Sequence, residues 1–430
     1  MNTPIHDFLL NYARMHTVRC HMPGGKGLNS PIDITEIDGA DSLYESGGII
    51  FESEANAARL FGAGATLYSC SGSTLAIQTM LAAVQPITGK RKIAAGRYCH
   101  KSVVCSCGLL GLDINWIYPG RFLGTDISPE AVEAAIDADT GAVFLNSVDY
   151  YGGTADIAAI SEVCRRKNVL LLADNAHGAY RVFTGDHPLL LGADMTADSA
   201  HKTLPALTGA AYLHLKNPAY RELCKKQMLL FGTSSPSYLI MDSLDLCNTF
   251  ISEKKADALA AISAVKGLKT VLRTLGYTLY DSDPMRVTIS AADYGYTGFA
   301  LAQELRRRGA ECEMSDGQYV VLLFSVSQSP QDFERLEQIF TEIPQLPSIA
   351  VAPHAMLRPR VAMSVREAFF SPHEKVDIGA LVGRICGEVF SPCPPCVPLV
   401  MPGEIIDAEC AEELARYGAD GIDVVIEPRR

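Results

Sequence analysis

The feature that most constrains the fold is a repeated alternation of short apolar strands and amphipathic helices between residues 56 and about 215. The candidate strands lie at 92–96, 114–119, 142–147, 169–174, 193–199 and 210–215. Candidate helices accompany them at 74–84, 129–137, 157–166 and 217–227. This alternation is typical of a mainly parallel sheet with helices on both faces. The sequence therefore predicts an α/β fold of the doubly wound type.

The length of the chain predicts more than one domain. A single hydrophobic core stops growing at about 250 to 300 residues, and this chain has 430. A long helical stretch from about Tyr238 to Leu275 is suited to joining a large domain to a small one. We predict an amino-terminal segment at 1–55 that begins with an amphipathic helix, a large domain at 56–280 and a smaller α+β carboxyl-terminal domain at 281–430.

The charge and hydropathy of the chain exclude several classes of partner. The formal net charge of −12 has the wrong sign for neutralising nucleic-acid phosphates. The sequence contains no run of about 18 apolar residues, the length needed to cross a bilayer. The first residues lack the features of a signal peptide. We therefore predict a cytoplasmic protein that binds neither nucleic acid nor membrane.

Thirteen cysteines are scattered along the chain, which is unlike the dense framework of a small disulfide scaffold. Four of them, Cys386, Cys393, Cys396 and Cys410, include one C-x-x-C pair that could in principle contribute to a zinc site. The second pair of such a site is missing. We interpret these residues as structural thiols and predict no metal, while any redox role stays open.

A possible phosphate site occurs in the segment SCSGSTLAIQ at 69–78. Gly72 allows close approach of the backbone, and Ser73 and Thr74 open a helix whose free N–H groups and dipole suit a phosphate. A small-residue helix start is more often only a cap. This segment alone therefore does not establish a phosphate site.

Two further segments place titratable groups just after strands, where ligands of doubly wound sheets bind. His100 follows the strand at 92–96, and Asp174 ends the apolar strand at 169–174 with His177 three residues later. A carboxylate at the end of a buried strand needs a cation or hydrogen bonds. A lone histidine, in contrast, is usually structural or solvated.

The segment DSAHKTLPALTGAAYL places Ser199, His201 and Lys202 after another strand, among small and apolar residues. Such surroundings favour the neutral amine of a lysine, which is a nucleophile. The alternative is a lysine whose charged head reaches the surface. On this segment alone, a nucleophilic Lys202 and a surface-reaching Lys202 are equally supported.

Together these groups meet the needs of one cofactor, pyridoxal 5'-phosphate (PLP). PLP needs a lysine for a Schiff base, a carboxylate that keeps its pyridine nitrogen protonated, and a phosphate cradle. Lys202, Asp174 and the turn at 72–74 supply these groups. Asp174 and Lys202 are separated by 28 residues, enough for one helix and one strand, which returns the lysine to the same end of a parallel sheet.

An ordered set of motifs spans nearly the whole chain. It comprises HMPGGKG at 21–27, DITEIDGADSL at 33–43, CHKSV at 99–103, DNAHGAY at 174–180, SAHKTLPALT at 199–208, TSSPSYLIMDSLD at 233–245, and the later SVREAFF, GRI and PGE. With these motifs the chain resembles the ornithine, lysine and arginine decarboxylases, which are fold-type I PLP enzymes. The absence of a receiver-like amino-terminal wing makes it similar to the short members associated with polyamine biosynthesis.

The resemblance implies a role for each matching residue. Lys202 would form the Schiff base, Asp174 would pair with the pyridinium nitrogen, His100 would stack on one ring face and Ala176 on the other, and His177 would lie near the substrate. The remaining cofactor contacts would come from Gly72, Ser73, Thr74, Ser199 and His201. The family is dimeric or built from dimers, and the resemblance implies that Thr233, Ser234 and Ser235 complete the phosphate site of the partner.

Some positions depart from the family pattern and put the identity of the basic substrate in doubt. Gly25 replaces a histidine, Asn175 an acidic residue, and Val148-Asp149 a small residue and a proline, while Cys393 and Cys396 replace a tyrosine and a glycine. Recognition of the distal cation of arginine, lysine or ornithine requires a polar or acidic partner. The candidates are Glu36, Asp38, Asp41, Glu367 and Glu404.

Two other classes of function remain open from the sequence. The same fold and cofactor also support transamination and β-elimination, because the fold does not decide which bond breaks. A catalytically silent homologue that acts as a binding partner is the second alternative.

Overall fold

The computed structural model describes residues 1–15, 17–25, 30–120, 126–280, 283–351, 356–391 and 398–426. The α-helices are α1 (Pro4–Arg14), α2 (Ile49–Phe61), α3 (Gly72–Thr88), α4 (Lys101–Leu110), α5 (Pro129–Ala135), α6 (Ile157–Lys167), α7 (Ala200–Thr203), α8 (Arg221–Leu229), α9 (Tyr238–Glu253), α10 (Lys255–Thr274), α11 (Gly298–Arg307), α12 (Pro330–Glu342), α13 (Val365–Phe370) and α14 (Ala408–Arg416). The strands are β1 (Ala65–Ser69), β2 (Lys92–Gly96), β3 (Asp113–Ile117), β4 (Thr140–Asn146), β5 (Leu170–Asp174), β6 (Met195–Asp198), β7 (Ala211–Leu215), β8 (Thr278–Tyr280), β9 (Arg286–Ser290), β10 (Met314–Ser315), β11 (Tyr319–Leu323), β12 (His373–Asp377) and β13 (Gly421–Val425).

A seven-stranded sheet forms the centre of the larger part of the molecule, with the order β1-β7-β6-β5-β4-β2-β3. Strand β7 runs antiparallel to both of its neighbours, and the strands from β6 to β3 are mutually parallel. The predicted fold class is therefore confirmed. Strand β1 was not predicted, because its five residues mix polar and apolar side chains without alternation.

Apolar side chains cover both faces of this sheet. Helices α3, α4 and α8 contribute buried residues to a core with β1, β2 and β7. Helices α5 and α6 form a second core with β4 and β5 on the opposite face. Because both faces are buried, the parallel strands are almost continuously apolar, which is the pattern that made them predictable.

The predicted helical stretch from 238 to 275 is divided into α9 and α10 at Lys254. Lys254 leaves the helical conformation with φ −110° and ψ 25°. The segment between β5 and β6 also differs from the prediction, because in place of a regular helix it contains a 3₁₀ turn at Ala179–Val182.

Two smaller sheets follow in the chain. One has the order β10-β11-β9-β8 and packs with α10 and α11, and the other pairs β12 with β13. Strand β8 already belongs to the four-stranded sheet, just before the predicted boundary at 280. The domain boundaries themselves stay predictions. Within the described ranges, no helix has the length and apolar character needed to span a membrane.

An ion pair joins the carboxyl-terminal segment to the large sheet. Arg97, directly after β2, contacts both carboxylate oxygens of Glu404 at 2.5 and 2.9 Å. Both side chains are 1% exposed. Such a bidentate pair in a dry environment fixes the two segments together, because the loss of either partner would leave a buried charge. Glu404 is thus engaged with Arg97.

Candidate active site

A cavity of about 310 Å³ lies at the carboxyl ends of β4, β5 and β6 and at the start of α3. This is the place where doubly wound sheets bind ligands. The cavity is lined by Ser71, Gly72, Ser73, Thr74, His100, Asn146, Val148, Tyr150, Asp174, Ala176, His177, Ser199, His201, Lys202, Thr208 and Gly209. The structure therefore brings together every residue predicted to be catalytic or to contact the cofactor, except the group at 233–235.

The start of α3 forms one end of the cavity. Gly72 has φ +66°, a conformation that side-chain-bearing residues rarely adopt. Its N–H donates to the carbonyl of Gly209 at 2.8 Å, and the Ser199 hydroxyl donates to that of Ser73 at 2.9 Å. The helix has no side-chain cap. Its first N–H groups and the serine hydroxyls fit an anion such as a phosphate.

Asp174 ends β5 and is 7% exposed. Its carboxylate accepts a hydrogen bond from the N–H of Ala176 at 3.0 Å. Burial raises the pKa of this carboxyl above its usual value, and the N–H of Ala176 and the charge of Lys202 offset the burial only in part. A cationic ring N–H is therefore a chemically suitable partner for this buried oxygen pair.

His100 is the N-cap of α4. Its Nδ1 accepts the N–H of Ser102 at 3.2 Å and lies 2.8 Å from the Ser102 hydroxyl. Burial lowers the pKa of His100 to about 4, with smaller contributions from the charges of Lys202 and Lys101. The imidazole is therefore neutral at pH 7, which suits a ring that stacks on an aromatic cofactor.

Lys202 and His177 meet inside the cavity. The Nζ of Lys202 lies 2.9 Å from Nε2 of His177 and 5.5 Å from the centre of the Tyr150 ring. Tyr150 also contacts His177 edge-on, with ring centres 4.8 Å apart. Burial lowers the pKa of His177 well below its usual value, and the nearby charges of Lys202 and Arg286 lower it further.

A second buried polar group, which we call the closed cluster, lies next to the cavity and contains Asn175, His187, Asp198 and His214. Asn175 donates to Oδ2 of Asp198 at 2.7 Å, and Nε2 of His187 lies 2.8 Å from the same oxygen. A carboxylate at position 175 would face the carboxylate of Asp198. The asparagine therefore explains one departure from the family pattern.

The closed cluster has the residue types of a metal site, since His187, Asp198 and His214 place ligand atoms within 4.8 Å of one another. However, Nδ1 of His187 accepts the N–H of Leu189 at 3.3 Å. With Nδ1 as the acceptor, Nε2 carries a proton and donates it to Asp198. This tautomer favours a hydrogen-bonded pair over metal ligation.

Thr233, Ser234 and Ser235 are exposed and lie outside the cavity. The carbonyl of Thr233 accepts the Tyr44 hydroxyl at 3.1 Å. The role of these residues at a partner's site stays a prediction.

The candidates for the distal cation also lie outside the cavity lining. Asp41 accepts N–H groups at the start of α2, including those of Gly48 and Ile50, and Glu367 caps α13. Glu36 and Asp38 are exposed. Cys393 and Cys396 lie outside the described residues, while Cys386 and Cys410 are buried thiols.

Several lining residues were missed by the sequence analysis. Asn146 ends β4, and Val148 and Tyr150 follow it, so the rule that led to Asp174 and Lys202 would also have found them. Arg286, which contacts His177 from β9, had no comparable signal. It belongs to a different sheet and reaches the site only through tertiary folding.

Comparison with known proteins gives consistent matches along the chain. The family model "Orn/Lys/Arg decarboxylase, major domain" matches residues 3–273, and the model of the "C-terminal domain" of the same enzymes matches residues 344–417. An arginine decarboxylase of Halalkalibacterium halodurans is 30% identical over 94% of this chain and 91% of its own length. An arginine decarboxylase of Bacillus subtilis is 29% identical over 95% of this chain and 92% of its own length.

A solved structure with a similar fold is lysine decarboxylase A from Pseudomonas aeruginosa. The TM-score is 0.79 at 19% identity, and the match covers 98% of this chain and 80% of that one. At this identity the likeness concerns the fold.

Proposed function

This chain belongs to the ornithine/lysine/arginine decarboxylase family, and from this premise we propose that it decarboxylates arginine with PLP bound at Lys202. Arginine is favoured over lysine and ornithine because the two relatives named above, similar over more than nine-tenths of this chain, are arginine decarboxylases. The roles in polyamine biosynthesis and in the cytoplasm are part of the same proposal.

The observation that carries the proposal is the meeting of Lys202, buried Asp174 and the start of α3 in one cavity. Lys202 would hold the cofactor, Asp174 its ring nitrogen, and Ser73, Thr74 and Ser199 its phosphate. The raised pKa of Asp174, caused by burial, is the expected property of a carboxylate built to meet a cation. When bound, PLP supplies the electron sink that a decarboxylation requires.

The residues of the chain would then orient and protect the reacting groups. Neutral His100 can cover one ring face without adding a charge that competes with Asp174. Ala176, on the strand end next to Asp174, presents a small apolar surface for the other face. Lys202, with its amine directed into the cavity beside His177, is placed to receive and return protons at the reacting carbon.

The proposal is tested by incubating purified protein and added PLP with arginine, lysine and ornithine. We expect CO₂ release, highest kcat/KM for arginine, and no keto acid. Keto acid without CO₂ would instead support an aminotransferase. Ammonia and pyruvate formed from serine or cysteine, which carry a leaving group at Cβ, would support a β-eliminating lyase. A silent homologue would lack the absorbance at about 420 nm that reports PLP joined to a lysine and disappears with borohydride.

We further propose a homodimer, or an assembly of dimers, in which each active site uses two chains. The exposed position of Thr233, Ser234 and Ser235 supports this, since they can contact another chain. Mixing an inactive Lys202→Ala chain with an inactive Ser234→Ala/Ser235→Ala chain should restore activity, because one mixed site would contain both intact parts. If mixed dimers form and stay inactive, the shared site is wrong.

A further inference from the structure

Arg286 connects the four-stranded sheet to the cavity. It is the first residue of β9 and is fully buried. Its guanidinium donates through Nη1 to the carbonyl of Asp149 at 2.6 Å and through Nη2 to Nδ1 of His177. On its opposite side, His177 contacts Lys202. The three side chains therefore form a continuous hydrogen-bonded line.

We propose that Arg286 is a positioning residue that fixes His177 as the neutral tautomer with its proton on Nε2, so that His177 donates a hydrogen bond to Nζ of Lys202. A guanidinium has only donors and stays protonated in proteins. Nδ1 of His177 must therefore be the acceptor in this contact. A neutral imidazole whose Nδ1 accepts carries its hydrogen on Nε2, which lies 2.9 Å from Nζ.

The charges around His177 act in the same direction. Protonation of Nδ1 would place an N–H against the guanidinium and a positive charge beside that of Arg286. His100 and His201 also face His177, and the lowered pKa of His177, caused first by burial, agrees with a neutral ring. The charge of Asp174 acts on Lys202. The charges of Asp283, Asp149 and Glu313, in decreasing order, act on Arg286.

A donor at Nε2 has a direct effect on Lys202. An N–H directed at Nζ stabilises the neutral amine, because the lone pair of the amine accepts the hydrogen bond. The ammonium form has no lone pair, so its hydrogens would repel that N–H. Arg286, through His177, therefore favours the nucleophilic form of Lys202. The charge of Asp174 opposes this effect by favouring the ammonium.

The same tautomer limits what His177 can do in the reaction, a consequence that rests on the proposed function. To release its Nε2 proton, the ring would have to become an imidazolate. When the bond from Cα to the carboxylate breaks and CO₂ leaves, the electron pair stays with the substrate. The proton that forms the new C–H bond then comes from the ammonium of Lys202, which becomes a neutral amine.

The first test observes His177 directly in the cofactor-free protein. Histidine labelled with ¹⁵N is followed by NMR from pH 5.5 to 8, and the His177 signals are identified by their loss in His177→Gln. We expect Nδ1 to be unprotonated and Nε2 protonated throughout. A protonated Nδ1 in the wild-type protein, as the other tautomer or as imidazolium, would overturn the proposal without any substitution at Arg286.

The second test measures the reactivity of Lys202 in the same cofactor-free protein. Labelling by trinitrobenzenesulfonate is quantified at the Lys202 peptide as a function of pH. In Arg286→Met we expect the midpoint to rise by about one pH unit, and Arg286→Lys, which keeps a charged donor, should restore at least part of the wild-type profile. Exposed Arg335→Met is the matched control and should leave the midpoint unchanged.

A double-variant comparison separates the action through His177 from the bare charge of Arg286. In a His177→Gln background, Arg286→Met should shift the midpoint of Lys202 labelling by less than half of the shift that it causes when His177 is present. An equal shift in both backgrounds would show that Arg286 acts by its charge alone and would reject the proposal. Neither test requires decarboxylation, so a negative result here leaves the proposed function standing, and the reverse is also true.

Discussion

The active-site cavity and the closed cluster differ although they share consecutive residues at the carboxyl ends of β5 and β6. Asp174 faces the cavity and Asn175 the cluster, while Asp198 faces the cluster and Ser199 the cavity. This division reflects the alternation of side chains along an extended chain. The two groups share one scaffold, so their differences arise from what surrounds each polar atom.

The two aspartates show the difference most clearly. Both are buried, yet the pKa of Asp174 is raised and that of Asp198 is lowered. Burial is the largest influence on each, but in Asp198 it is outweighed by His187, His214 and Asn175. The lowered pKa of Asp198 thus comes from groups that the fold supplies, although its Oδ1 has no hydrogen-bond partner among the described residues. Asp174, in contrast, lines a cavity that can admit a further partner.

The largest effect is expected for Lys202→Ala. Because no other described side chain of the cavity is an amine, kcat should fall by at least about 10⁴-fold. The free energy of unfolding should change little, since Lys202 is only partly buried. Activity assays and urea denaturation of the cofactor-free protein measure the two effects. If Lys202→Ala retained turnover, the reactive amine would have to be a residue other than Lys202.

Asp174→Asn should lower kcat by about 10²- to 10⁴-fold, because the variant cannot carry the charge that holds a protonated ring nitrogen. Its effect on stability has the opposite sign. A carboxyl with a raised pKa in the folded state destabilises the protein progressively as the pH rises above its unfolded value. The variant should therefore be as stable as the wild type or more stable at pH 7, as urea denaturation without cofactor would show.

Asp198→Asn tests the cluster and should act mainly on stability. We expect a loss of about 2 kcal/mol at pH 7, because the pair with His187 is broken in a buried setting. Since the folded pKa of Asp198 is lowered, its contribution is present above the unfolded value and disappears as the pH falls through the folded one. The difference from the wild type should therefore shrink on acidification, and kcat per folded molecule should stay within about threefold. If Asp198→Asn instead lost most of its kcat and none of its stability, the closed cluster would have to act in catalysis, as the cavity does.

The smallest effect is expected for Glu367→Gln, far from both regions. Glu367 forms a capping box with Ser364 at the start of α13, and its replacement should cost about 0.5 kcal/mol. The KM for arginine should be unchanged, as for the exposed control Glu334→Gln. A tenfold increase in KM would instead identify Glu367 as a contact of the distal cation.

Much of the cavity could be predicted because the parallel strands are apolar and their carboxyl ends share one edge. Asp174, His100 and Lys202 were found in this way. The closed cluster was not, since His187 and His214 lie in a loop and inside β7, with no local pattern that joins them. Arg286 was missed for the same reason. The break between α9 and α10 was missed because Lys254 is neither a glycine nor a proline, the residues that usually signal the end of a helix.

The Arg97–Glu404 pair also has a consequence for synthesis of the chain. The two residues are 307 positions apart, so at about 5 to 20 residues per second the ribosome needs about 15 to 60 s to supply the second after the first. Throughout that time the guanidinium next to β2 has to remain hydrated. The carboxyl end of β2 can therefore become dry only after Glu404 has been synthesised, which makes the burial of Arg97 a late step in folding.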